Sequence, residues 1–135
     1  MKKLYYTVKP FLIPAIVTII IIVIFHTVFM LCYVPTSSME PTLETGSLIL
    51  GLRLHSKLNT GDIIIFRHEN SYLVKRIAAI EGDVVEHYGI IKSVPENCVY
   101  VLGDNMEHSY DSRYWEDPFV SREDIVAKVI ICFAF

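Results

Sequence analysis

Three short segments of the 135-residue chain carry residue types that can act on a covalent bond. The first is PTSSMEPTL, from Pro35 to Leu43. Its hydroxyls lie between two prolines that stiffen the backbone, and a hydroxyl held in place needs only a base to become a nucleophile. Thr, Ser and Pro also gather in ordinary turns, which is the plainer account of such a stretch. The second segment is YLVKRIAAI, Tyr72 to Ile80. In a strand, alternate residues share a face, so Leu73, Lys75 and Ile77 point one way and Tyr72, Val74 and Arg76 the other. A lysine between two aliphatic neighbours either snorkels to water or is desolvated. Desolvation lowers its pKa, and a lysine neutral near pH 7–8 takes a proton from a serine hydroxyl. The third segment is GDNMEHSYDSRYW, Gly103 to Trp115. Asp104 and Asn105 read as turn formers, and Asp111 and Arg113 have the spacing to share a strand face and pair. His108, Ser109 and Asp111 also spell the components of a Ser-His-Asp triad. Triads are assembled across a fold, however, and sequence neighbours seldom reach the needed geometry.

The elements that position these segments follow from composition. Hydrophobic residues make up 53% of the chain and charged residues only 20%, an apolar excess for a globular domain. The excess is concentrated at 11–34, FLIPAIVTIIIIVIFHTVFMLCYV, 24 residues without an Asp, Glu, Lys or Arg. As a helix this run would be about 36 Å long, more than the roughly 30 Å hydrocarbon core of a bilayer. A cleavable secretory signal would have a shorter apolar region ending in small residues; here the run ends in Met30, Leu31, Cys32, Tyr33, so an uncleaved transmembrane anchor is expected. His26 within the span is expected to be tolerated or packed on a partner. Lys2, Lys3 and Lys9 precede the run and no acid does, which predicts a cytoplasmic segment 1–10 and a body, 35–135, outside the cytoplasm. Nine of the 12 basic and all 15 acidic residues lie in that body, a formal charge of −6 that argues against a nucleic-acid partner. The three cysteines, Cys32, Cys98 and Cys132, show neither a disulfide framework nor metal-ligand spacing.

Within the body, Gly and Pro punctuate short runs rich in β-branched and aromatic residues. These runs, at 47–51, 62–67, 71–80, 83–88, 98–103 and 124–135, predict about six strands and no further helix. The expected fold is mostly β: a small all-β catalytic domain behind a single N-terminal transmembrane helix.

An apolar anchor, then SM-PT, then KR in an apolar strand, then GDN and SxDSR, in that order, resembles the bacterial type I signal peptidases, which use a Ser-Lys dyad. The resemblance runs from the anchor through the C-terminal residues. It implies Ser38 as nucleophile and Lys75 as general base. It implies an oxyanion hole formed by the Thr36 hydroxyl with the Ser38 N–H, threonine standing where serine is common. Ser109 would orient the lysine ammonium, with His108 where the family has asparagine, and Asp111 with Arg113 would be a supporting ion pair. Val34, Met39, Leu43 and Val74 would line pockets for small side chains of a substrate bound as an added strand. The implied partners are signal peptides of exported preproteins with small residues before the cut, and membrane lipid; no metal or organic cofactor is implied.

Only 26 residues, 77–102, separate KR from GDN, where many family members insert a hairpin or a further β domain, so this resembles a minimal version. The alternatives are a non-catalytic relative with the same fold and one dedicated to a single substrate, such as a pilus component. Eukaryotic-type signal peptidases, with histidine in place of Lys75, match less well, as do self-cleaving repressors, which are soluble and carry a DNA-binding region.

Overall fold

A computed structural model of the chain describes residues 2–54 and 57–134, the side chains of residues 2–9 excepted. The lysines on which the expected orientation rests therefore have side chains outside the described part. The chain opens with α1, Lys2–Val28. Within it, Pro10–Val28 is 19 residues long, apolar enough to cross a membrane, and wholly unburied by the rest of the chain. The hydroxyls in this stretch bond back to their own helix: Thr18 to the Pro14 carbonyl at 2.9 Å and Thr27 to the Val23 carbonyl at 3.0 Å. An apolar solvent would leave those hydroxyls no other partner.

The apolar run does not stay helical to Val34. At Phe29 it becomes β1, Phe29–Tyr33, which pairs antiparallel with β2, Leu48–Leu52. Arg53 fixes the junction, its N–H bonded to the Val28 carbonyl at 2.8 Å and its Nε to the Phe29 carbonyl at 3.3 Å. These bonds satisfy carbonyls that a helix end leaves unpaired.

The remaining strands are β3, Ile63–His68; β4, Ser71–Ile80; β5, Val84–His87; β6, Ile90–Ser93; β7, Cys98–Leu102; β8, Phe119–Ser121; and β9, Ile125–Phe133. Seven form one antiparallel sheet in the order β1-β2-β9-β3-β4-β7-β8, and β5 and β6 form a separate hairpin. The architecture is thus mostly β, as expected. All six predicted runs contain a strand, and β1, β6 and β8 are additional. No α-helix follows α1 among the described residues; two three-residue 3₁₀ turns occur, at Ser37–Met39 and Arg122–Asp124.

β3 is buried on both faces. Ile64 and Phe66 join a core group with Ile77, Val101 and Trp115, while Ile65 joins a second group with Val34, Met39, Leu43, Ile49 and Ala127. β4 serves two neighbours in succession: its whole first half pairs with β3, but pairing with β7 begins only at Arg76. One backbone edge of residues 71–75 is therefore open. β1 is the terminal strand at the far end of the sheet order, and the sheet curls until Cys32–Thr36 stand across a groove from that open edge of β4.

Candidate active site

Ser38 sits in the 3₁₀ turn 37–39, entered from extended backbone at Thr36. The turn is anchored from beneath by Met39 and Leu43, which are 1% and 2% exposed and pack in the second core group. The Glu40 N–H closes the turn on the Ser37 carbonyl at 3.1 Å, and Leu43 N–H bonds the Met39 carbonyl at 2.9 Å. These contacts hold a serine, a residue that ordinarily prefers the surface, with only 8% of its area exposed.

Lys75 arrives from the middle of β4. Its strand neighbours on the same face, Leu73 and Ile77, pack into the first core group, as the alternation predicted. The lysine does not snorkel: it is 4% exposed, and its Nζ lies 2.6 Å from Ser38 Oγ. Burial pushes the ammonium below its ordinary range; Asp111 opposes that shift, Arg113 adds to it, and Asp104 opposes it. A buried amine and a hydroxyl in hydrogen-bond contact, 37 residues apart in sequence, are the two groups that covalent acyl transfer by a base and a nucleophile requires.

The Thr36 hydroxyl lies 3.4 Å from Ser38 Oγ, on the same side of the turn as the groove it helps to line. Behind the pair stands the loop that follows β7. Ser109 is buried, and its hydroxyl donates to Asp111 Oδ2 at 2.6 Å. Asp111 and Arg113 do pair, from a turn rather than a strand: Arg113 Nε and Nη2 approach the two carboxylate oxygens at 2.8 and 2.9 Å. This is no surface ion pair, because Asp111 is fully buried. Burial alone would raise its carboxyl; the guanidinium, the Gly103 N–H at 2.9 Å and the Ser109 hydroxyl outweigh that and hold it below the usual carboxylate range. His108 makes no side-chain hydrogen bond to Ser38, Ser109 or Asp111, so the triad spelled by the sequence is not assembled.

Several residues of the KR, GDN and SxDSR motifs have contacts that the sequence alone did not assign. Gly103 is one: a Cβ there would meet the Ser109 side chain, and it would stand 2.5 Å from the Ser38 carbonyl oxygen. Arg76, next to the lysine, forks onto Asp104 at 2.8 and 2.6 Å and also donates to the Gly61 carbonyl at 2.7 Å. Burial would raise Asp104, but Arg76 more than offsets it. Ser112, fully buried, accepts from the Val101 N–H at 3.0 Å and ties the loop to β7. Asn105 bonds the turn that carries Ser38, through its N–H to the Ser38 carbonyl and through Nδ2 to the Ser37 carbonyl, both at 3.0 Å.

Beside Ser38 and Lys75 the groove has a volume of about 240 Å³. Val34, Met39 and Val74 line it, with Cys32, Tyr33, Ile65, Tyr72 and Leu73. Leu43 does not reach it and lies in the core behind Met39. Among the described residues no group of three His, Cys, Asp or Glu side chains stands close enough to hold a metal ion, and the three cysteines are free.

A family model described as signal peptidase, peptidase S26, matches residues 7–92 and 88–134. The chain is 29% identical over 136 aligned residues to a probable signal peptidase I-2 of Synechocystis, covering 75% of the chain and 61% of that protein. It is 28% identical to a signal peptidase I of Leptolyngbya laminosa, covering 75% of the chain and 66% of the relative. A mitochondrial inner membrane protease subunit 1 of mouse is 32% identical over 90 residues, 58% of the chain and 54% of the relative. The chain thus spans less than two thirds of the length of these relatives.

Proposed function

The chain belongs to the signal peptidase family, peptidase S26, and on that premise we propose that it is a membrane-anchored serine endopeptidase that removes signal peptides from exported preproteins. The observation that carries this reading is the buried 2.6 Å contact between Lys75 Nζ and Ser38 Oγ.

In the proposed mechanism the neutral lysine accepts the serine proton as Ser38 Oγ attacks the scissile carbonyl carbon. The carbonyl oxygen becomes an oxyanion, stabilised by the Thr36 hydroxyl and the Ser38 N–H. Lys75 then returns the proton to the leaving amine, the C–N bond breaks, and an acyl-enzyme remains on Ser38. A water molecule deprotonated by Lys75 releases the acyl group and restores the serine. Ser109 acts on the lysine through Asp111, whose carboxylate favours the ammonium that forms during each proton transfer.

The substrate enters extended, against the open edges of β1 and β4, in the β-augmentation mode. Val34, Met39 and Val74 narrow the groove beside the nucleophile and favour small side chains before the cut. α1 is the single membrane anchor, with its N-terminus in the cytoplasm and the peptidase domain outside.

The test uses the full chain in detergent with a preprotein that has Ala-x-Ala before its cut. The wild type should release the mature protein, and Ser38→Ala and Lys75→Arg should not, since arginine holds its proton at working pH. Cleavage retained by Ser38→Ala above a tenth of the wild-type rate would overturn the dyad, and an inert wild type would favour a non-catalytic relative. Protease added outside intact spheroplasts should digest the domain; a protected domain would overturn the orientation.

A further inference from the structure

The oxyanion hole of the proposed mechanism needs a backbone N–H aimed at the substrate, and a three-residue 3₁₀ turn is a weak guarantee of that aim. Its own closure is one hydrogen bond, Glu40 N–H to the Ser37 carbonyl. The same carbonyl accepts a second bond, from Asn105 Nδ2 at 3.0 Å, across 68 residues of sequence. The next carbonyl, of Ser38, accepts the Asn105 N–H at 3.0 Å. One residue therefore grips two successive peptide groups of the nucleophile turn.

The consequence follows from peptide geometry. The Ser37 C=O and the Ser38 N–H belong to one planar trans unit and point in opposite directions. Holding the carbonyl on Asn105 turns the Ser38 N–H away from the Asn105 loop. No acceptor for that N–H is found among the described residues, so it stays available to a ligand. Gly103 lets the loop approach closely enough for the grip, because any side chain there would push against the Ser38 carbonyl.

We propose that Asn105 is a positioning residue of the oxyanion hole: its side-chain amide locks the Ser37–Ser38 peptide so that the Ser38 N–H is presented to the developing oxyanion. This rests on the peptidase reading above. Loss of the amide leaves the Ser37 carbonyl held by the Glu40 N–H alone, so the peptide is less firmly fixed while Ser38 Oγ and Lys75 stay in contact. Transition-state stabilisation then falls while substrate binding along the strand edges does not.

The experiment compares Asn105→Ala and Asn105→Asp with wild type and Ser38→Ala, as full chains in detergent, on a peptide with Ala-x-Ala before the cut. The aspartate has asparagine's shape, but its ionised carboxylate has no donor. Both Asn105 variants should lose about 10–10²-fold in kcat, with KM within about twofold. Inhibition by the matching peptide aldehyde, which forms an oxyanion on addition of Ser38 Oγ, should weaken by a similar factor. In Asn105→Ala the acidic limb of the pH–rate profile should stay where it is, because no charge near Lys75 changes; the Asn105→Asp kcat is read on the plateau above that limb, since its new carboxylate favours the ammonium. Wild-type kcat in a folded Asn105→Asp would overturn the proposal. So would a loss confined to KM, or an acidic limb that moves in Asn105→Ala. Should Asn105→Ala fail to fold, Asn105→Asp alone decides. Cleavage by Ser38→Ala marks a different failure, that of the peptidase reading itself.

Discussion

Gly103→Ala is the smallest change expected to disable the site, and the structure sets its size. The added Cβ would stand 2.5 Å from the Ser38 carbonyl oxygen, against a floor of 3.0 Å for real Cβ contacts, and it would also collide with the Ser109 side chain. Relief needs a movement of at least about half an ångström. The nearest yielding element is the nucleophile turn, because Ser109 is held by the buried Asp111. A misplacement approaching 1 Å costs on the order of 10² in rate, so kcat should fall by about 10–10²-fold. Overpacking should cost about 1–3 kcal/mol, a Tm decrease of at least about 4 °C for a domain of this size. The assay is cleavage of an Ala-x-Ala peptide by the detergent-solubilised chain, with Tm by calorimetry. A variant with wild-type kcat and Tm would refute the close approach of Gly103 to Ser38, and with it the packing of the loop against the turn.

Asp111→Asn removes a carboxylate that favours the Lys75 ammonium and leaves Arg113, which disfavours it, so the lysine's pKa should fall further. Wild-type activity should rise with pH as the depressed lysine loses its proton, and the variant's acidic limb should lie at lower pH in a pH–rate profile. The same depression makes stability rise with pH between the folded pKa of Lys75 and the ordinary lysine value of 10.5, because the unfolded chain binds more protons there. Arg76→Ala should cost about 1–2 kcal/mol in denaturant unfolding, since it strands the largely buried Asp104 carboxylate and the Gly61 carbonyl. Thr36→Val should lower kcat by about 10²–10³-fold with little change in unfolding midpoint, which would separate an oxyanion donor from a packing residue.

Much of this arrangement was legible from residue types. Alternation in 71–80 placed Lys75 on the same face as Leu73 and Ile77, and the burial of the lysine follows that pattern. β1 was hidden because a continuous apolar run has neither helical nor strand period; only pairing with β2 separates Phe29–Tyr33 from the helix before it. β8, three residues long, and β6, directly after a tight turn at Tyr88–Gly89, are too short to show a period. The grip of Asn105 and the crowding at Gly103 had no local signal, since each joins the third segment to the first. Ser109 shows the converse: its position in the motif suggested the lysine as its partner, whereas its hydroxyl points to Asp111, two residues on.

The passage from α1 into β1 has a mechanical meaning. No spacer lies between Val28 and Phe29, and Arg53 rivets both carbonyls. The five residues of β1 rise about 16 Å before the turn that carries Ser38. A flexible ten-residue leash would let the domain wander over roughly 17 Å, whereas a paired strand holds one altitude. For the proposed membrane-anchored peptidase, with α1 in the bilayer, the site would be mounted at a set height above the membrane. On the proposed reading, a passing chain would be cut only where its own buried stretch suspends small residues at that level, so depth would join sequence as a criterion for where the cut falls.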